Sequence, residues 1–313
     1  MSRTSRYSEI TRPRRLGKGD RIALVATGSP FEKEDFDKGV QLLVSLGFEV
    51  KHHPLLFERN GYLAGSDEHR ARLFTGALID DEVQAVLCVR GGYGTLRMLS
   101  HIDASLFKTH PKIILGFSDV TALLNFAFDS SGLITFHGPM LTGLPGLSDD
   151  GLRRFLDFLT KESSLIIAPS RREIIQKGRA QGRLMGGNLT TLVHLIDTPY
   201  EPSWEGRILF VEECGEKLYR IDRLFTHLKL AGRLSKLAGL VLGQFTDGVE
   251  PEEVWEFAYQ NLRDLDIPIV AGFPFGHGKE NMAVPIGAMF KLDGYEGVLE
   301  LAEPCLQQAC INS

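Results

Sequence analysis

The stretch IILGFSDVTALL, residues 113–124, passes from an apolar run into an apolar helical segment through the turn GFSD. A serine at so abrupt a junction is either an ordinary helix N-cap or a nucleophile that the turn exposes. The elbow pattern G-x-S-x-G is broken because Val120 stands in place of its second glycine, and Asp119 could also cap the helix. The stretch predicts a strand, a sharp turn and a helix, and it leaves the role of Ser118 open. We expect the helix to pack less closely at Val120 than it would beside a glycine.

Strand and helix patterns alternate on both sides of this junction. The predicted strands of the first half are RIALVA (21–26), FEVKHH (48–53), VQAVLCVR (83–90), KIILG (112–116) and LITFHG (133–138). Short apolar strands separated by helices indicate a parallel sheet with right-handed crossovers. The predicted fold class is therefore α/β.

A change of character near residue 165 predicts two domains. A helical segment ends there, and the stretch IIAPSRREIIQKGRAQG that follows it is typical of a polar β or linker segment. We predict an N-terminal parallel-sheet α/β domain at 1–165, a linker at 166–180, and a smaller C-terminal α/β domain with mixed β structure at 181–313. The active site is expected in the cleft between the two domains.

Composition excludes several classes of function. The 35 basic and 40 acidic residues give a net charge of −5, whereas nucleic-acid-binding proteins usually carry a basic excess. No apolar run approaches the roughly 20 residues of a membrane span. We therefore expect no nucleic-acid partner and no membrane insertion. The arginine-rich start lacks the apolar core of a secretory signal, and we interpret it as a frayed leader.

The cysteines and histidines predict neither a disulfide framework nor a metal site. The four cysteines form no C-x-x-C pair, and HExxH is absent. We expect free thiols in a reducing cytoplasm, and neither a metal nor a cofactor.

A serine nucleophile needs a base, and the base needs a group that orients it. Among the nine histidines, His137 ends a strand, and His277 lies between two glycines in the loop FGHGKE. Glu212 and Glu213 both end the apolar strand RILFVEE, where α/β folds place functional groups. The residues alone leave both pairs open.

Two glycine-rich segments could complete a site. The backbone N–H groups of CVRGGYG (88–94) could line an oxyanion hole, although the segment could equally be a turn or a phosphate cradle. It lacks G-x-G-x-x-G spacing, so a nucleotide site is weakly supported. LMGGNL (184–189) opens a helix and could form part of a substrate wall.

Six motifs in order resemble the LD-carboxypeptidases of the S66 serine peptidase class, which also includes the microcin C self-immunity peptidases. They are VRGGYG, GFSDVTALL, TFHGPM, MGGNLTTL, LFVEECGEKLYRIDRLF and GFPFGHG. The resemblance runs over nearly the whole chain and implies a two-domain fold, often a homodimer, with the site in the cleft between the domains.

The resemblance also implies a Ser-Glu-His triad. It assigns the nucleophile to Ser118, the orienting carboxylate to Glu212 and the base to His277. It also assigns the oxyanion hole to the backbone N–H groups of Gly92 and Asp119. It implies hydrolysis of the bond between an L-centre diamino acid and a terminal D-alanine in murein tetrapeptides.

Substrate contacts are expected at Tyr93, Met185, Gly187 and Asn188. Met185 stands where many relatives have tryptophan, which lowers the expectation of a microcin-like substrate. The substrate carboxylate calls for a cation, and the candidates are Arg90, Arg183 and Arg223. The alternatives are an aminoacyl-nucleotide peptidase of the microcin type and a non-catalytic two-domain binding protein.

Overall fold

The structure is a computed structural model that describes residues 9–161 and 165–307. The strands of the first half are β1 (Arg21–Val25), β2 (Glu49–His52), β3 (Ala85–Cys88), β4 (Ile113–Gly116) and β5 (Thr135–His137). The helices of this half are α1 (Lys33–Ser45), α2 (Asp67–Ile79), α3 (Thr95–Met98), α4 (Ser105–Thr109), α5 (Thr121–Ser131) and α6 (Asp149–Thr160). The first residues of the predicted leader, 1–8, and Cys310 lie outside the described residues.

The second half contributes the remaining elements. Its strands are β6 (Ile166–Ile167), β7 (Glu173–Gln176), β8 (Arg179–Asn188), β9 (Ile208–Cys214), β10 (Gly239–Thr246), β11 (Ile269–Ala271), β12 (Val284–Ile286), β13 (Met289–Asp293) and β14 (Val298–Leu301). Its helices are α7 (Leu189–Val193), α8 (Leu218–Leu230) and α9 (Pro251–Asn261). No helix of the described residues is long and apolar enough to cross a membrane.

The first sheet has the strand order β12-β5-β4-β3-β1-β2. The five strands of the first half run parallel, and β12 is antiparallel to β5 at the edge. Every residue of β3 and β4 is buried, as expected for strands covered by helices on both faces. The predicted α/β class with a parallel sheet is confirmed.

The second sheet has the order β6-β14-β13-β8-β9-β10-β11-β7. Its centre, β8 to β11, is parallel, and its flanks are antiparallel. This is the mixed sheet that the alternating patterns of the second half predicted.

The segment 166–180, predicted as a polar β or linker segment, takes part in the second sheet. It contains β6 and β7, which pair with β14 and β11 at the two edges of the second sheet. Edge strands are often short and polar, so their pattern resembles that of a linker. The division of the chain into domains at 1–165 and 181–313 stays a prediction.

Helix α5 is packed between the two halves. Ten of its eleven residues are buried, as befits a helix that is apolar on nearly all sides. The Asn125 side chain donates to the Gly186 carbonyl at 2.9 Å, and the Asn188 N–H donates to Thr121 Oγ1 at 3.0 Å. Because a single short turn joins Ser118 to this helix, the position of Ser118 is coupled to the end of β8.

Candidate active site

Ser118 lies at the carboxyl end of β4, where the chain turns sharply into α5. Its φ of +60° is in the left-handed region, which costs backbone energy in a residue that is not glycine. A short 3-10 turn, Ser118–Val120, then leads into the helix. This is the strained strand-to-helix geometry that exposes a nucleophilic hydroxyl.

Gly116 explains why Val120 fits this turn. A Cβ atom at Gly116 would lie 2.8 Å from Val120 Cγ1, so the valine occupies space that the missing side chain leaves. Val120 is fully buried. The expectation of looser packing at this position was therefore wrong, because the glycine that relieves the turn is the residue two before the serine.

The hydroxyl of Ser118 does not act as a helix cap. Neither the 3-10 turn nor α5 has a side-chain cap at its start. Instead, Ser118 Oγ lies 3.2 Å from Nε2 of His277. A hydroxyl within hydrogen-bond distance of an imidazole can transfer its proton to that ring.

His277 is held by Glu212. Its Nδ1 lies 2.6 Å from Glu212 Oε2, and the carboxylate is completely buried at the end of β9. Burial raises the pKa of Glu212, and the hydrogen bond to His277 offsets this only in part. Burial alone would lower the pKa of His277, but the hydrogen bond and charge of Glu212 raise it above its ordinary value.

Glu213, the alternative to Glu212 as the orienting carboxylate, makes different contacts. Side chains alternate along a strand, so it points to the opposite face of β9. Its two oxygens accept from Asn188 Nδ2 and from the Thr190 N–H, each at 2.8 Å. Asn188, an expected substrate contact, also accepts from the Thr191 N–H at the start of α7. The polar atoms of both side chains are thus engaged within the protein.

His137, the alternative to His277 as the base, is buried in the core. The ring is fully buried, packs against Phe117 and Phe210, and has no hydrogen-bond partner among the described residues. Burial lowers its pKa to about 3. The imidazole is therefore neutral at physiological pH and has no polar contact to Ser118.

The glycine-rich loop lies directly beside the serine. A Cβ at Gly91 would be 3.1 Å from Ser118 Cβ, and Gly92, with φ of +96°, would place a Cβ 2.2 Å from Ser29 Oγ. Ser29 binds both sides of this loop: its N–H donates to the Gly91 carbonyl, and its hydroxyl accepts from the Tyr93 N–H. The loop therefore lies against the serine, and only glycine fits both positions without rearrangement.

Asp119 ties the same loop to the serine turn. Its buried Oδ2 accepts from the Thr95 N–H at 2.8 Å, and burial raises the pKa of the carboxyl group. Buried Arg70 donates to the carbonyls of Thr27 and Gly94. Arg70 was not predicted from the sequence, because nothing in the helical pattern separates it from the other charged residues of α2, Asp67, Glu68 and Arg72.

The three candidate cations differ in their surroundings. Arg183 is paired with Glu303 at 2.8 Å, and Arg223 stacks on Tyr219 with 5.7 Å to the ring centroid. Arg90 is exposed, donates to the Pro30 carbonyl at 3.1 Å, and has no carboxylate in ion-pair range among the described residues.

The remaining expected substrate contacts are divided between surface and core. Tyr93 is 53% exposed, and its ring lies 6.0 Å from that of Tyr62, which is 62% exposed. Met185 is buried in the apolar core and offers no surface to a ligand, which corrects the expectation. A Cβ at Gly187 would lie 2.3 Å from Thr121 Oγ1, so this glycine allows α5 to approach.

Within residues 9–161 and 165–307, no group of three or more His, Cys, Asp or Glu side chains is placed to hold a metal ion. Cys88, Cys214 and Cys305 are free thiols.

Comparison with known proteins identifies the family. The LD-carboxypeptidase N-terminal domain model matches residues 22–138, and the C-terminal domain model matches residues 181–292. The "Putative carboxypeptidase" of Synechocystis sp. is 40% identical over 92% of this chain and 96% of its own. The "Probable murein peptide carboxypeptidase" of Bacillus subtilis is 37% identical over 90% of this chain and 91% of its own. The chain belongs to the LD-carboxypeptidase family and is a peptidase.

Solved structures share the fold along the chain. The muramoyltetrapeptide carboxypeptidase from Oxalobacter formigenes superposes with a TM-score of 0.81 at 32% identity, covering 90% of this chain and 99% of that one. The wild-type microcin C7 self-immunity protein without ligand gives a TM-score of 0.86 at 25% identity, and the superposition covers 95% of this chain and 100% of that one.

Proposed function

We propose that this protein is a serine LD-carboxypeptidase that releases the terminal D-alanine from murein tetrapeptides. The observation that carries the proposal is the continuous hydrogen-bond chain from Ser118 through His277 to Glu212. The similarity of the protein to relatives named as murein peptide and muramoyltetrapeptide carboxypeptidases supports the substrate class.

The reaction starts when Ser118 Oγ attacks the carbonyl carbon before the D-alanine. His277 Nε2 accepts the hydroxyl proton and returns it to the leaving amine, so D-alanine departs and an ester to Ser118 remains. Water then attacks the ester while His277 takes its proton and returns it to the serine oxygen. Glu212 stays ionised, fixes the ring tautomer and stabilises the imidazolium.

The oxyanion is stabilised by the N–H groups of Gly92 and Asp119. The contact between Gly91 and Ser118 supports this assignment, because it brings the loop beside the nucleophile. Each such donor contributes about 3 kcal/mol of transition-state stabilisation in comparable enzymes. The Asp119 side chain keeps the loop in place through Thr95.

Arg90 binds the terminal carboxylate of the substrate. Of the three candidate arginines it is the one without a carboxylate or aromatic partner among the described residues, and it adjoins Gly91. A guanidinium can donate two parallel hydrogen bonds to a carboxylate. The exposed rings of Tyr93 and Tyr62 form an apolar wall for the peptide.

A second candidate is the hydrolysis of aminoacyl-nucleotides. The structural similarity to the microcin C7 self-immunity protein favours it. Buried Met185 supplies no stacking surface for a base, which favours the murein peptide.

Measuring release of D-alanine from L-Ala-D-Glu-diaminopimelate-D-Ala tests the proposal, with Ser118→Ala as the matched inactive variant. We expect turnover by the wild type alone. Equal turnover by the variant would overturn the mechanism. Hydrolysis of aspartyl sulfamoyl-adenosine without turnover of the tetrapeptide would favour the second candidate. Tight binding of either compound without hydrolysis would indicate a non-catalytic binding protein.

We also propose that the protein works as a cytoplasmic homodimer. The free thiols of the described cysteines are compatible with a reducing compartment. Light scattering coupled to size exclusion measures the oligomeric state, and a monomer mass would contradict the dimer.

A further inference from the structure

The backbone N–H of Gly92 is available to a ligand. The residue is exposed, and its N–H has no hydrogen-bond acceptor within the described part of the chain. The preceding residue lies against the nucleophile, because a Cβ atom at Gly91 would be 3.4 Å from Ser118 Oγ. A donor at this place must keep one direction to act on an oxyanion. Successive glycines rotate easily about φ and ψ, so another part of the chain has to fix that direction.

Ser29 binds the loop on both sides of Gly92. The Ser29 N–H donates to the Gly91 carbonyl at 3.0 Å, and the Ser29 hydroxyl accepts from the Tyr93 N–H at 3.2 Å. The peptide between Gly91 and Gly92 is trans, so its N–H points away from the carbonyl that Ser29 binds. The backbone of Ser29 therefore holds the peptide before Gly92, and its side chain holds the peptide after it.

Ser29 is itself fixed by its neighbours in the chain. The carbonyl of Gly28 accepts from the Ala64 N–H at 3.0 Å. Pro30 follows Ser29, and a residue before proline is restricted to extended conformations. The hydroxyl also fills the space that a side chain on Gly92 would need, since a Cβ there would lie 2.2 Å from Ser29 Oγ. Ser29 is thus a rigid support for a flexible loop.

We propose that Ser29 is a positioning residue that directs the Gly92 N–H toward the oxyanion. The hydroxyl acts through the Tyr93 N–H, keeps the loop from rotating, and needs no contact with the substrate. Its effect therefore belongs to the transition state, in which the oxyanion forms, and not to the bound substrate. The inference rests on the proposed function, because it requires acyl transfer to Ser118.

Ser29→Ala removes the hydroxyl and keeps the backbone N–H. Loss of an oxyanion donor lowers kcat about 100- to 1,000-fold, so a donor that is only misdirected should lower it about 10- to 100-fold. We expect this decrease in kcat for D-alanine release, with an unchanged KM and an unchanged pH midpoint, since Glu212 and His277 keep their contacts. Ser45→Ala is the matched control, because it removes an exposed hydroxyl that donates to the Leu42 carbonyl. The control should keep the wild-type kcat.

A fluorophosphonate separates this inference from the choice of substrate. Ser118 Oγ attacks the phosphorus, the P–F bond breaks, fluoride leaves, and the hydroxyl proton passes to His277. Mass spectrometry measures the rate at which Ser118 is labelled. We expect labelling of Ser29→Ala to be at least about tenfold slower than that of the wild type. This difference without any release of D-alanine would support the role of Ser29 and contradict the murein substrate alone.

Wild-type kcat in Ser29→Ala, or an equal loss in Ser45→Ala, would overturn the proposal. A higher KM with unchanged kcat would make Ser29 a substrate contact, and a shifted pH midpoint would attribute the loss to His277; both results would contradict it. Absence of labelling at Ser118 in the wild type would refute the nucleophile and this inference together. Urea titration verifies that each variant is folded.

Discussion

Gly276 approaches Glu212 so closely that a Cβ atom on the glycine would lie 2.6 Å from the carboxylate oxygen Oε2. The same oxygen lies 2.6 Å from Nδ1 of His277. The side chain that glycine lacks would therefore displace the group that orients the imidazole.

Gly276→Ala should reduce kcat about 100-fold, because even a 1 Å displacement of a positioning group has an effect of this order. Steady-state kinetics of D-alanine release measures it. Gly215→Ala is the matched control: Gly215 also has a positive φ, but a Cβ there has no neighbour within 4 Å. Equal losses in both variants would attribute the effect to backbone strain and not to Glu212.

The pH dependence should reflect His277. The ring must be neutral to accept the serine proton, and Glu212 raises its pKa above the ordinary value of 6.5. kcat/KM should therefore increase with pH, with a midpoint above 6.5. Glu212→Gln should shift this midpoint downward and reduce kcat by about 10⁴-fold. An unchanged midpoint in that variant would contradict the assigned partner.

Asp119→Ala should impair catalysis although the backbone N–H of residue 119 is retained. The Thr95 N–H loses its acceptor, which lowers the free energy of unfolding by about 1–3 kcal/mol. The glycine-rich loop is then held less firmly. Asp119→Asn keeps an acceptor oxygen and should retain most activity. Asp103→Ala removes a comparable hydrogen bond, which the Ser105 N–H donates to the exposed Asp103 carboxylate, and should leave kcat unchanged. Wild-type kcat in Asp119→Ala would refute the positioning role.

Arg90→Gln should raise KM for the tetrapeptide about 10- to 100-fold and leave kcat nearly unchanged, because it removes a charged hydrogen bond to the bound carboxylate. Arg90→Lys should recover part of the loss. Arg223→Gln, on an exposed face of α8, serves as the control. A KM unchanged in Arg90→Gln would require another cation for the carboxylate.

His137→Leu should remove an acid-sensitive contribution to stability. The pKa of His137 is lowered by burial to about 3, so the unfolded chain binds the extra proton between about pH 6.5 and 3. The free energy of unfolding then falls with decreasing pH by up to about 1.4 kcal/mol per unit. Urea titrations at several pH values should show a shallower decline for His137→Leu, whereas exposed His227→Leu should follow the wild type.

Much of the fold follows from local pattern. Apolar runs such as residues 113–116 predicted the buried parallel strands, because such strands have no polar face. The short strands β6 and β7 could not be told from a linker, since edge strands carry polar residues and two to four positions show no periodicity. The return of β12 to the first sheet was also not predicted, because its three residues give no indication of their partner.

The candidate site could be predicted in part. Glycines beside His277 and near Ser118 indicated backbone exposure, and the resemblance to the LD-carboxypeptidases implied Glu212 and not Glu213. Contacts between distant segments leave no local pattern: Arg70 is buried on α2 because it binds carbonyl groups of two other segments, at Thr27 and Gly94. The burial of Met185 depends on tertiary packing that its neighbours in sequence do not reveal.

The pairing of β12 with β5 has a consequence for how the two halves can be separated. A fragment that ends near residue 165 would lack β12, and the edge of β5 would lose its hydrogen-bonded neighbour. An exposed, apolar edge of this kind favours aggregation. The N-terminal and C-terminal halves of two relatives therefore cannot be exchanged independently at a junction near residue 165. A working chimera must transfer residues 284–286 together with the first half, or match the two along this edge.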